Sequence, residues 1–237
     1  MTKWPSALLA ALALCLAGEP ALAQAAKAPP VLRTQDWVRF VTATPEGGFR
    51  LGNPAAPVKL VEYLSLTCGH CAAFSQAVLP RLLTEHVRPG RVSIEYRNFV
   101  LNGVDLAAAL LSRCASPSRY FDATGAMLAT QEDWLGRLSS LSAAQTGELQ
   151  QLEPRQALPR IAALAGLDRI AATHGVGAKQ AQACLANPQR LQRLVNMHNA
   201  ATQLGVTGTP TFLVNGRLVT GVHDWASLEP HLRPPGR

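Results

Sequence analysis

The feature that most constrains this chain is a pair of cysteines, Cys68 and Cys71, at the point where an apolar strand gives way to a helix. The residues before them, 58–66, are β-rich and apolar on both alternating faces, which is typical of a central strand covered on two sides. The residues after them follow a helical pattern to about Glu85. This context predicts an α/β fold with both sulfurs at the start of a helix.

The rest of the chain predicts one sheet interrupted by helices. A second strand is expected over 92–101, and a right-handed crossover would make it a parallel neighbour, or near neighbour, of the first. Between 105 and 204 only helical patterns occur, which predicts an inserted helical subdomain. Its expected helical blocks cover 105–115, 119–138, 156–174 and 178–204.

Strand patterns return at 211–221, where Asn215-Gly216 is a strong hairpin turn signal. Asp224 is then expected to cap a final helix that ends near Leu232. The predicted organisation has four parts: a signal peptide at 1–23, a leader and N-terminal segment at 24–57, an α/β domain formed by 58–104 and 205–237, and a helical insertion at 105–204.

The first residues predict export. Lys3 precedes an apolar stretch at 7–17, and Ala21-Leu22-Ala23 has the small residues of a cleavage site, so we expect cleavage after Ala23. The stretch is short for a permanent membrane anchor, which is the alternative. A lipid attachment site at Cys15 is a second alternative, although Leu14 is bulky for one. Export would place the protein in the periplasm, a compartment that permits disulfides.

Composition excludes some classes of protein. With 48% apolar and 16% charged residues, the chain is globular rather than disordered. Its net charge is +7, but the basic residues are scattered along the sequence and form no long run. The charge therefore does not predict a nucleic-acid partner.

The CxxC motif, Cys68-Gly69-His70-Cys71, predicts a reactive thiolate. Unpaired amides and the dipole at a helix N-terminus favour a negative charge on Cys68, and the His70 ring would add to that effect. Cys71 lies one turn further in and should be shielded. Cys68 is therefore the expected nucleophile and Cys71 the resolving thiol of a redox-active pair. Such chemistry needs no dissociable cofactor.

Two structural interpretations compete with a redox role. The CxxC could be half of a zinc site completed by Cys114 and Cys184, although those two cysteines are not the closely spaced second pair that structural zinc sites use. It could also be an inert disulfide, although so small a ring offers little stabilisation through loop closure.

Two runs, Glu62 to Cys71 and Gly208 to Gly216, together with the long helical stretch between them, resemble the DsbA-like exported thiol:disulfide oxidoreductases, which have a thioredoxin fold. The resemblance covers roughly residues 36–232. It implies that Pro210 is cis beside the CxxC and that Thr209 offers its backbone to an incoming peptide. It also implies a membrane redox partner that regenerates the disulfide.

Glu62 is a further candidate site residue. It shares a strand face with Leu60, Leu64 and Leu66, so its carboxyl should be desolvated, with a raised pKa. Its place six residues before Cys68 matches the buried acidic position of the thioredoxin fold, where it would relay a proton to or from the resolving thiol. The alternative is a strand-end glutamate that reaches solvent or a basic partner.

Cys114 and Cys184 both lie in the predicted insertion. They are expected to be two buried free thiols or one structural disulfide, and export favours the disulfide. The simplest members of the resembling family lack this pair.

The expected function is thiol:disulfide exchange on exported proteins that carry thiols, with the CxxC as a disulfide donor. An isomerase or reductase kept in the dithiol form is one alternative. A metal-binding or copper-delivery module that uses the CxxC thiols is another.

Overall fold

A six-stranded mixed sheet forms the centre of the computed structural model, which describes residues 35–233. The predicted signal peptide and residues 24–34 lie outside the described residues. The strand order is β1-β2-β4-β3-β5-β6. The strands are β1 (Val41–Ala43), β2 (Phe49–Gly52), β3 (Val58–Leu64), β4 (Val92–Asn98), β5 (Thr211–Val214) and β6 (Arg217–Val219).

Helices cover both faces of the sheet. Between β3 and β4 lie α1 (Gly69–Ala77) and α2 (Leu79–Leu82). Between β4 and β5 lie α3 (Gly103–Ser112), α4 (Tyr120–Ala129), α5 (Gln131–Ser139), α6 (Ala143–Gln151), α7 (Pro154–Ala165), α8 (Leu167–Thr173), α9 (Ala178–Leu185) and α10 (Pro188–Gln203). After β6, Asp224 caps the short α11 (Trp225–Leu228) through the Ser227 amide. None of the helices described is long and apolar enough to cross a membrane.

The arrangement confirms the expected thioredoxin fold with a helical insertion. β3 and β4 pair in parallel, with Val58 opposite Val92, and the α1–α2 segment forms the crossover between them. β5 then pairs antiparallel with β3, so β3 lies in the interior of the sheet. The Asn215-Gly216 turn joins β5 to β6 as predicted, with Asn215 at φ 50° and Gly216 at φ 79°.

The sheet extends into the segment that the sequence assigned to the leader. β1 and β2 form a hairpin there, and β2 pairs antiparallel with β4. A buried ion cluster joins the hairpin to β4, because the Glu95 carboxylate accepts hydrogen bonds from Arg50 (3.0 Å), Arg97 (2.7 Å) and the Thr44 hydroxyl (2.7 Å). These strands are short, and the sequence of this region carries clear turn signals but no clear strand pattern.

The helical subdomain is more finely divided than its sequence pattern predicted. Gly166, at φ 75°, separates α7 from α8, and Asn187 caps α10 through the Arg190 amide. Helix α6 was not predicted, because it buries none of its side chains and so has no apolar period. A capping box between Ser142 and Gln145 starts it instead.

A disulfide joins Cys114, which follows α3, to Cys184 in α9, with the two Cα atoms 6.1 Å apart. Both residues are buried. The bond connects positions 70 residues apart and so closes most of the helical subdomain.

We expect replacement of both cysteines by alanine to lower the free energy of unfolding by about 4 kcal/mol, because the unfolded chain regains the entropy of a long loop. Urea denaturation of the variant and the wild type, both with the CxxC in the dithiol form, measures the difference. Thiol counting in the denatured, non-reduced mature protein should find no thiol beyond those of the CxxC. Two additional reactive thiols would contradict the bond.

Candidate active site

The strand-to-helix junction places the two CxxC sulfurs in different environments. Cys68 is the N-cap residue of α1, with an extended backbone (φ −89°, ψ 116°), and is partly exposed. Cys71 lies within the first turn of α1 and is fully buried. Both are free thiols, so the structure shows the dithiol form. Of the two sulfurs, Cys68 is the one accessible from solvent.

Local hydrogen bonds stabilise Cys68 as a thiolate. The Cys71 thiol makes the largest contribution, and the Thr209 side chain and then the backbone N–H groups of Cys71 and His70 add to it, so that the pKa of Cys68 falls to about 5 although burial opposes the shift. At neutral pH Cys68 is therefore ionised. The same hydrogen bond and burial raise the pKa of Cys71 far above its ordinary range. The pair thus has one nucleophile and one protonated thiol.

The loop before β5 lies against Cys68. The Thr209–Pro210 peptide bond is cis, and the Cys68 thiol, when protonated, donates a hydrogen bond to the Thr209 carbonyl oxygen at 3.2 Å. The Thr211 hydroxyl donates to the Gly208 carbonyl oxygen at 2.7 Å and closes this loop on itself. The structure therefore brings together the two motifs that lie 141 residues apart in the sequence.

His70 contributes to the Cys68 thiolate through its backbone, and the predicted role of its ring stays a prediction. Its side chain is exposed, and its backbone N–H is the group that lowers the pKa of Cys68. The stabilisation described for the thiolate therefore comes from Cys71, Thr209 and the helix N-terminus. Replacement of the His70 ring leaves these groups in place.

Glu62 is a buried carboxyl that interacts electrostatically with both sulfurs. Its residue exposure is 1%, and its Oε2 atom has no hydrogen-bond partner among the described residues. Burial, and then the charge of Cys68, raise the pKa of Glu62 to about 8, and the Glu62 charge in turn raises the pKa of Cys71. A carboxyl that is protonated at neutral pH and coupled to both thiols is suited to proton transfer.

Two further residues contact the CxxC loop, and neither was predicted from the sequence. Asp105, in the first turn of α3, accepts from the Leu66 amide at 2.8 Å and the Leu101 amide at 2.9 Å. Gln131, the first residue of α5, donates from Nε2 to the carbonyl oxygens of Leu66 (2.7 Å) and Cys68 (3.1 Å). For Asp105, the one signal in the sequence was the helix cap at Asn102, whose side chain accepts from the Asp105 amide. For Gln131, the sequence carried no such signal.

The described residues offer little for a metal at the CxxC. Cys114 and Cys184 are bonded to each other, so they cannot complete a four-sulfur shell. Elsewhere, ligand atoms of Glu85, His86 and Glu229 lie within 4.8 Å of one another. Arg81 already pairs with Glu85 (2.9 Å) and Glu229 (3.9 Å), and its positive charge disfavours a cation there.

The thiolate assignment predicts the alkylation behaviour of the reduced protein. The rate at which iodoacetamide modifies Cys68 should rise with pH through a midpoint near 5, because only the thiolate reacts. Cys71 should stay unmodified in the folded protein. Mass spectrometry of each cysteine across a pH series measures both, and a midpoint near that of free cysteine, about 8.5, would contradict the assignment.

The buried carboxyl predicts opposite effects of Glu62→Gln on stability and on reaction rate. The folded carboxyl keeps its proton up to about pH 8, whereas the unfolded one loses it near 4.5, so wild-type stability falls as pH rises through this window. Glu62→Gln removes that loss and should be the more stable protein at pH 8 but not at pH 4. Its thiol–disulfide exchange should slow at least about tenfold, because the carboxyl that exchanges a proton with Cys71 is gone.

Glu95→Gln is the matched control for this experiment. Glu95 is equally buried but fully paired, and despite burial its hydrogen bonds with Arg97 and Thr44 lower its pKa. Its replacement should destabilise the protein at pH 8 and leave exchange rates unchanged. Denaturation at the two pH values and stopped-flow exchange separate the variants. Unchanged exchange in Glu62→Gln would remove the proton-relay role.

Comparison with known proteins agrees with this geometry. A family model described as thioredoxin matches residues 44–232. A solved structure of a protein-disulfide isomerase from Novosphingobium aromaticivorans is 35% identical with a TM-score of 0.72 and covers 77% of this chain and 94% of its own. The alpha-DsbA1 structure from Wolbachia pipientis is 29% identical with a TM-score of 0.50, covering 70% of this chain and 73% of its own.

Several curated relatives are named as protein-disulfide oxidoreductases. A chain from Rickettsia conorii, named as a protein-disulfide oxidoreductase, is 28% identical over 168 residues, which are 70% of this chain and 52% of the relative. This chain thus spans about half the length of the curated relatives it matches most extensively. The family match over residues 44–232 shows that the chain belongs to the thioredoxin family, with DsbA-like proteins among its structural neighbours.

Proposed function

We propose that this protein is a thiol:disulfide oxidoreductase that donates its CxxC disulfide to exported proteins. The observation that carries the proposal is the asymmetry of the two sulfurs: Cys68 is accessible and ionised, whereas Cys71 is buried and protonated. The names of the relatives support the same chemistry. The predicted signal peptide and the Cys114–Cys184 bond support action in the periplasm.

The reaction follows from the geometry. A substrate thiolate attacks Cys68 Sγ of the oxidised protein, which breaks the Cys68–Cys71 bond and forms a mixed disulfide. Cys71 leaves as a thiolate and takes a proton, for which the Glu62 carboxyl is the nearby donor. A second substrate thiolate then attacks the substrate sulfur of the mixed disulfide and releases Cys68 as its stable thiolate. The substrate gains one disulfide and the enzyme gains two electrons, and the Glu62 carboxylate left by the proton transfer takes up a proton from water.

The direction of the reaction follows from the stability of the product. A thiolate stabilised in the reduced protein makes the disulfide a stronger oxidant. Thr209 and Pro210 contribute the loop against which the substrate chain would lie, with main-chain contacts that do not depend on sequence. Regeneration then requires an electron acceptor, and a membrane redox partner fits the resemblance to DsbA-like proteins.

Isomerase activity is the second candidate, and the similarity to the Novosphingobium protein-disulfide isomerase favours it. An isomerase acts in the dithiol form, so its Cys68 thiolate would attack a wrong disulfide and Cys71 would release the enzyme. The two functions use the same site. They differ in which redox form is stable in the compartment.

The reduction potential decides between these functions. Equilibration with glutathione buffers should give a value nearer about −120 mV, as for a strong oxidant, than about −270 mV, as for thioredoxin. A thioredoxin-like value would overturn the donor assignment.

Metal analysis of protein purified without chelator should find no stoichiometric ion, and a bound ion would favour a metal-delivery role.

The assigned roles of the two cysteines predict opposite fates of their variants. Cys71→Ser should accumulate mixed disulfides with a reduced, unfolded substrate protein under mild oxidation, because nothing resolves them. Cys68→Ser should form none, because the remaining thiol is buried. Non-reducing electrophoresis detects these species. Equal trapping by both variants would contradict the assignment of nucleophile and resolving thiol.

A further inference from the structure

The loop that leads into the CxxC is held by side chains of the helical insertion. β3 ends at Leu64, so Leu66 has no partner strand for its backbone. Its amide donates to Asp105 Oδ1 at 2.8 Å, and its carbonyl oxygen accepts from Gln131 Nε2 at 2.7 Å. Leu66 is fully buried, and an unpaired backbone group there would be costly. Two side chains therefore satisfy the backbone of Leu66.

Gln131 also contacts the backbone of Cys68, the nucleophilic residue. Its Nε2 donates to the Cys68 carbonyl oxygen at 3.1 Å, and the Ala72 amide donates to that oxygen at 3.2 Å to form the first hydrogen bond of α1. Gln131 is 5% exposed. A Cβ atom added at Gly69 would have Gln131 Oε1, at 3.9 Å, as its nearest neighbour outside the local chain. The Gln131 amide thus lies beside the CxxC turn.

These contacts fix the peptide plane from which α1 starts. The amides of His70 and Cys71, which contact the Cys68 sulfur, belong to the turn that follows this plane. A carbonyl held by Gln131 keeps that turn, and so those amides, in one orientation. Without the bond, the Cys68 carbonyl would depend on the Ala72 amide alone, at a helix end that tends to fray.

We infer that Gln131 is a positioning residue: from the inserted subdomain it holds the backbone of Cys68 and so sets the reactivity of the nucleophile, with Asp105 as the complementary contact on the other side of Leu66. This inference rests on the proposed thiol:disulfide exchange. It assigns the insertion a role in tuning the CxxC in addition to its packing. Gln131 acts through the backbone rather than on the reacting sulfurs.

Gln131→Leu tests the inference, because leucine fills a similar volume without a donor. Gln180→Leu is the matched control: Gln180 Nε2 donates to the Cys114 carbonyl oxygen at 2.9 Å, which is the same kind of bond in the same subdomain at the disulfide. Gln131→Leu loses two side-chain bonds to backbone carbonyls, and Gln180→Leu loses one. Only Gln131→Leu should change the thiolate.

In the reduced full-length protein, the pH midpoint of Cys68 alkylation should rise by about one unit in Gln131→Leu. The equilibrium constant for oxidising glutathione should then fall about tenfold, the factor that corresponds to one pH unit. Gln180→Leu should match the wild type in both measurements, whatever its melting temperature. If Gln131→Leu does not fold, Gln131→Met is the second variant, since an unbranched side chain without a donor adapts to the site.

A melting temperature that falls in Gln131→Leu while the midpoint and the glutathione equilibrium stay at wild-type values would overturn the inference and leave Gln131 a packing residue. Equal shifts in both leucine variants would overturn it too, because the effect would then be general to the subdomain. Failure of the proposed function has a different signature. In that case the wild-type Cys68 itself titrates as an ordinary thiol.

Discussion

The negative charge on Cys68 at the start of α1 is the interaction on which the site depends. It requires a strand that ends before residue 68 and a helix that begins at 69, so that free amides surround one sulfur. The same helix carries Cys71 inward, where it stays protonated and donates to the thiolate. The difference between the two thiols thus arises from one junction of backbone. The interior position of β3 makes that junction rigid, because β4 and β5 pair on its two sides.

Three buried carboxyl groups differ in how far hydrogen bonds and ion pairs compensate for their burial. Glu95, on the face of the sheet away from the CxxC, is paired with two arginines and a hydroxyl and stabilises the N-terminal hairpin. Glu62, on the CxxC face, lacks a partner for one oxygen among the residues described. Burial raises the pKa of Asp105 to about 6, although backbone amides partly compensate. Of these three carboxyls, Glu95 stabilises the fold, Asp105 holds the loop before the CxxC, and Glu62 is suited to proton transfer with the thiols.

Features of the site with local or periodic signals could be predicted from the sequence. The strand-to-helix context located the CxxC, alternation placed Glu62 on the buried face, and Asn215-Gly216 located the hairpin. Helix α6 was not predicted, because it begins at a capping box and has no apolar face. The hydrogen bonds of Gln131 could not be predicted for a different reason, because a contact between residues 65 positions apart does not affect residue spacing or composition. For His70 the motif pointed to the ring, and the contribution of its backbone N–H to the Cys68 thiolate needed the structure.

Helix α3 connects the two sulfur pairs of the folded domain. At its start Asp105 holds the loop before the CxxC, and just beyond its end Cys114 is bonded to α9. Its ten residues correspond to a length of about 15 Å, so the structural disulfide lies well away from the reactive thiolate. Distance and burial therefore protect it from exchange, which needs direct attack by a thiolate on sulfur. A disulfide at the far end of α3 therefore restrains the helix that holds the loop before the CxxC, and it does so at a distance from that loop.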